Sequence, residues 1–126
     1  MFIDIDGSGE VEITATLYTL VIYEQEFHSD LIKDVFGNAG DGGSSDKKLF
    51  DFTTDNWSAE VKALWAMLKT ANELADDRGE VAPKDRVPQF RKWVKGIGKV
   101  NMKSISDAVF IESMDGFFHS GAAASE

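Results

Sequence analysis

Polar and apolar residues alternate at the start of the chain and then change period. Phe2, Ile3 and Ile5 precede Asp6-Gly7-Ser8-Gly9, and Val11, Ile13 and Ala15 follow at strict period two. A glycine-rich turn between two alternating segments predicts a β-hairpin over 2–16. Glu10, Glu12, Thr14 and Thr16 form its polar face. Such a ribbon persists only if helices pack on its apolar side. From Leu17 the period is helical. Leu17, Leu20, Val21 and Phe27 fall on one face, Tyr18 and Ile22 widen it, and Thr16 is the candidate N-cap. Ser29, with Asp30 in the first turn after it, starts a second segment carrying Leu31, Ile32, Val35 and Phe36, and Gly37 suits its end. Two short helices, or one bent one, are predicted over 17–36.

Residues 38–48, NAGDGGSSDKK, have no large apolar side chain and read as a flexible loop. Leu49, Phe50 and Phe52 return to the core, and Thr53 and Thr54 offer caps. Trp57, Val61, Leu64, Trp65 and Leu68 then repeat at helical spacing among strong helix formers, which predicts a helix to about Arg78, stopped by Gly79. Pro88 suits the first turn of a short helix through Ile97 with Phe90, Trp93, Val94 and Ile97 apolar. Gly96 and Gly98 end it. A last helix is expected from about Met102 to Phe118, with Ile105, Val109, Met114, Phe117 and Phe118 apolar, and 120–126 reads as a frayed tail. The prediction is a mainly α fold: one small helical domain over 1–126, helical in 17–36 and 49–119, with about five helices and a short N-terminal β-hairpin.

Composition narrows the chemistry. With 126 residues the chain can bury a core without staples. It has no cysteine, so disulfides, thiolate metal sites and thiol nucleophiles are ruled out. His28 and His119 are the only histidines, so no multi-histidine metal site is expected. Thirteen Lys+Arg against 22 Asp+Glu give a net charge of −9, which disfavours nonspecific nucleic-acid binding. The N-terminus does not resemble a signal peptide, and no apolar run approaches the roughly 20 residues of a membrane span. A cytoplasmic protein with no membrane association follows as the expectation.

Four residue groups invite a chemical reading. Asp4-Ile5-Asp6-Gly7-Ser8-Gly9-Glu10-Val11-Glu12 matches the first half of an EF-hand calcium loop, but Ala15 stands where the bidentate glutamate belongs and no entering helix precedes it. A hairpin turn favours the same residues for backbone reasons. Glu24 and Glu26 are too closely spaced to share a helical face, and His28 reads as a helix-boundary residue. Gly96-Ile97-Gly98 lacks the third glycine and the preceding strand of a phosphate loop. Lys84, Arg86, Arg91, Lys92, Lys95, Lys99 and Lys103, interleaved with Phe90 and Trp93, form a basic stretch that reads as a self-complementary contact or a solvated face rather than a nucleic-acid site. The spacing of Trp57 and Trp65 favours the core, and any exposed tryptophan would mark a partner groove.

Several stretches resemble the tail assembly chaperones of long-tailed bacteriophages and their prophage relatives. They are Tyr23-Glu24-Gln25-Glu26-Phe27, Asp30-Leu31-Ile32-Lys33-Asp34, the helix with Trp57 and Ala63-Leu64-Trp65-Ala66, and Phe90-Arg91-Lys92-Trp93, spanning most of Val11 to Val94. The resemblance implies a non-enzymatic protein, mostly helical with a small β element. It would bind the tape measure protein, recruit tail tube subunits, self-associate, and leave before the tail is complete. It also implies residence in the bacterial host cytoplasm and no cofactor. Trp57, Trp93, Phe117 and Phe118 are the candidate partner-binding side chains, with acidic rims expected to steer basic client segments. The alternatives are a small acidic inhibitor that mimics nucleic acid and a calcium-dependent binding module, with an enzyme last.

Overall fold

The computed structural model describes residues 1–7, 9–37, 57–82 and 85–118. Its elements are β1 (Phe2–Asp4), β2 (Glu10–Glu12), α1 (Leu17–Phe27), α2 (Leu31–Phe36), α3 (Trp57–Asp77), α4 (Phe90–Gly96) and α5 (Met102–Gly116). The fold is mainly helical with an N-terminal antiparallel hairpin, as the patterning predicts. The expected loop at 38–48, the return at Leu49–Phe52, the caps Thr53 and Thr54, and the tail at 120–126 lie outside the described residues.

In the hairpin Phe2 pairs with Glu12, Ile3 with Val11 and Asp4 with Glu10. Gly7 N–H donates to Asp4 Oδ1 at 2.6 Å, and the turn holds Gly7 at φ 84° and Gly9 at φ 130°, where a side chain is disfavoured. The ladder is shorter than predicted. Ile13 still exchanges bonds with Met1, donating to its carbonyl at 2.8 Å and accepting from its amino group at 3.3 Å; from Thr14 the chain leaves its partner, and the helices supply the bonds instead. Thr14 N–H donates to Met67 O of α3 at 3.1 Å, and Ala15 N–H to the buried Glu112 Oε2 of α5, also at 3.1 Å. One turn beyond Glu112, Gly116 lies so close that a Cβ there would sit 2.0 Å from Ala15 O.

Thr16 caps α1 as expected, accepting from Tyr18 N–H, while Thr19 Oγ1 accepts from Thr16 N–H at 3.0 Å. The buried face of α1 differs from the predicted stripe. Thr19, Ile22 and Tyr23 are buried, whereas Leu17 is 76% exposed and Val21 also faces outward. The cause is polar. Thr19 Oγ1 donates to Thr14 O and lies 2.6 Å from Thr70 Oγ1 of α3, which turns this face inward. His28 ends α1 in the left-handed region, φ 55°, so there are two helices rather than one bent helix. The second begins one residue later than the Ser29 signal suggests, because Asp30 is itself the N-cap, with Oδ1 accepting from Lys33 N–H.

Helix α3 is the central element, packing against α1, α2, α5 and β2. Ala63 to Leu68 are all buried, and Gly79 at φ 76° closes the turn beyond it. Trp65 is 1% exposed. Its ring meets Phe27 and Phe90 edge-on at 5.6 and 5.9 Å, and its Nε1–H donates to Pro88 O at 3.0 Å. That bond sets Pro88 before α4, not in its first turn; Gln89 is the N-cap position. Helix α5 starts behind Asn101, whose Oδ1 accepts from Lys103 and Ser104 N–H, and it ends at Gly116, so Phe117 and Phe118 lie just past it.

Trp65→Ala is expected to lower stability by about 3–5 kcal/mol, measured by chemical denaturation. Gly116→Ala is expected to cost about 2 kcal/mol or more, because both the new Cβ and the Ala15 carbonyl it meets are backbone-fixed.

Candidate partner-binding groove

The N-terminal turns of α3 and α5, Trp93 and Val94 of α4 and the link after it enclose an apolar groove of about 300 Å³. Trp57 and Val61 come from α3, Trp93 and Val94 from α4, Ile97 and Val100 from the link after it, and Met102 and Ile105 from α5; Ile5 of the hairpin closes one end. Trp57 is 58% exposed. The i, i+8 spacing from Trp65 therefore does not bury it: Trp65 is core and Trp57 stands at the groove's edge. Trp93 is half-buried and meets Phe90 at a tilt, centroids 6.1 Å apart, and Phe90 meets Phe27 at 5.0 Å. An aromatic chain thus runs from Tyr23 and Trp65 in the core out to the groove wall.

The structure brings together Trp57 and Trp93 but not all four candidates. Phe117 and Phe118 belong to a separate cluster at the other end of α5, where Phe36 meets Phe118 at 5.2 Å and Phe110 at 6.4 Å.

The segment that supplies most of the groove's lining is basic, where an acidic rim is expected, and Asp6, next to the lining Ile5, shares an adjoining pocket with Lys92. Arg91, Lys92 and Lys95 on α4, Lys99 in the link and Lys103 on α5 alternate in sequence with the lining residues and are exposed. Lys103 pairs with Asp107 at 3.0 Å. Arg91, Lys92, Lys95 and Lys99 have no carboxylate partner among the described residues. Arg86, at the start of the basic stretch, pairs with Asp76.

Sequence reasoning missed Glu60. It lies on α3 between Trp57 and Val61, fully buried, and Ser106 of α5 donates to its Oε1. Its Oε2 has no hydrogen-bond partner among the described residues. Burial pushes its carboxyl up to about 7, with the Ser106 bond opposing. A glutamate one residue from the apolar stripe reads as solvated; only the side-on approach of α5 buries it.

The other candidate chemistry stays apart. Asp4 spends a carboxylate oxygen on the hairpin turn, and no group of three or more metal-ligating side chains occurs among the described residues. Glu24, Glu26 and His28 are exposed, and His119 lies outside the described residues. Among the described residues no helix is long and apolar enough to cross a membrane. Comparison with protein-family models, curated proteins and solved structures finds no match for this chain.

Because Glu60 titrates near 7 when folded and near 4.5 when unfolded, the native state holds the extra proton between these values. Stability therefore falls as pH rises from about 4.5 to 7 and levels off above. Glu60→Gln should remove this slope, gaining on the order of 2–3 kcal/mol over the parent at pH 8 while matching it near pH 4.5, by denaturation at each pH.

Proposed function

We propose that this protein is a non-enzymatic binding protein that seats an apolar helical segment of a partner in the groove between Trp57 and Trp93. The observation that carries the reading is Trp57, a large side chain left 58% exposed over a lining that is almost wholly apolar. Tryptophans in such positions supply much of the affinity of protein interfaces, and a groove between helix ends accepts one face of an amphipathic helix. The resemblance to phage tail assembly chaperones gives the reading its biological form. The client would be the tape measure protein, kept from aggregating until tail tube subunits, recruited by the chaperone, surround it. The host cytoplasm would be the place of action.

The test is co-expression with the tape measure protein of the same genome. Its soluble yield is expected to rise, and Trp57→Ala is expected to abolish the rise. That substitution should weaken binding by about 2 kcal/mol or more while leaving the melting temperature within a few degrees, since half the ring is already in water. An unchanged yield would overturn the chaperone reading.

A further inference from the structure

Resting on the binding-protein reading, we infer that the segment seated in the groove is an acidic amphipathic helix: an apolar face for the tryptophans, flanked by glutamates or aspartates. From Arg86 to Ser106 the chain has six lysines and arginines and no acidic residue, although the whole carries −9. All 22 carboxylates lie elsewhere. This cationic stretch supplies most of the groove's lining and alternates with it. Helix α4 turns Trp93 and Val94 to the groove while Arg91 and Lys95 stay exposed and Lys92 lines the adjoining pocket with Asp6, and Lys99 separates Gly98 from Val100. Four of these cations have no carboxylate partner among the described residues, so a partner meets charges that need not first be unpaired. An acidic protein that concentrates its cations in the segment building one apolar groove presents there a local field opposite to its net charge, which orients an anionic partner there and repels it elsewhere.

A nucleic acid fits less well. Its charge runs its whole length and would meet the acidic remainder, and the lining offers aliphatic side chains between two tryptophans rather than a row of stacking platforms. A second copy is the other competitor. Its exposed α1 face carries Leu17, Tyr18 and Val21 beside Glu24 and Glu73, but Glu73 already accepts from the Tyr18 hydroxyl at 2.6 Å, a bond within one copy that docking there would disturb.

The experiment uses two synthetic helices of roughly 18 residues with identical Leu and Ile faces, one flanked by Glu and the other by Lys, and no tryptophan. Binding is followed by the protein's tryptophan emission at several salt concentrations. The Glu-flanked helix is expected to bind about tenfold tighter at low salt, with the gap narrowing as salt rises. Replacing Arg91, Lys95 and Lys99 by Glu should reverse the preference without changing the melting curve. Equal binding of both helices, lost in Trp57→Ala, would overturn the acidic-partner inference and leave the groove reading standing. Binding of neither would overturn both. Tighter binding of a single-stranded oligothymidylate would assign the groove to nucleic acid. Concentration-dependent self-association by sedimentation, abolished by Trp57→Ala, would assign it to a second copy.

Discussion

The structure depends on a few residues of extended backbone that have left their β partner and still lie inside the protein. Buried peptide groups must be hydrogen-bonded, and beyond Ile13, whose N–H still donates to Met1 O at 2.8 Å, the run of β pairing ends among the described residues. The neighbouring helices do so instead. Met67 O of α3 takes Thr14 N–H, the Glu112 carboxylate of α5 takes Ala15 N–H, and Thr19 takes Thr16 N–H and returns a bond to Thr14 O. Each bond fixes a different helix against the same stretch of chain. The rotation of α1, the contact of α5 at Gly116, and the depth at which Ile13 and Ala15 are buried are one set of constraints.

The groove follows from how those constraints end. Helices α3 and α5 are held together along their lengths, by Glu60 and Ser106 among other contacts, and α4 closes over their N-terminal turns. Trp57 and Trp65 show the division. Two turns apart on one helix, one anchors the aromatic core and the other faces water.

Much of the fold was legible in the sequence. The period change at Leu17, the stripe through Leu64, Trp65 and Leu68, and the stop at Gly79 each state a local preference that the structure keeps. What was illegible came from long-range polar contacts. Nothing around Thr19 announces that Thr70, 51 positions away, will meet it and turn Leu17 and Val21 outward. Glu60 and Glu112 look like ordinary helix-surface glutamates until another element covers them. For the groove, sequence singled out Trp57 and Trp93 as costly residues, but grouping them apart from Phe117 and Phe118 needed the path of α5. The basic stretch was visible and its neighbour was not: periodicity does not reveal that α4 lies along an apolar floor.

Helix α4 has no buried residue of its own. It is attached mainly at its start: Trp65 Nε1–H and Lys69 Nζ donate to the Pro88 and Val87 carbonyls, Val87 N–H donates to Asn72 Oδ1, and its first residue, Phe90, meets Trp65 edge-on. An element tied at one end by a few bonds detaches at a free energy well below that of global unfolding. The spacing between Trp57 and Trp93 is then governed by a local equilibrium, hinged at Pro88, while α3 and α5 hold their places. Occupants of different girth can be accommodated by one wall without repacking the core, and amide hydrogens of α4 will exchange through that opening long before those of α3.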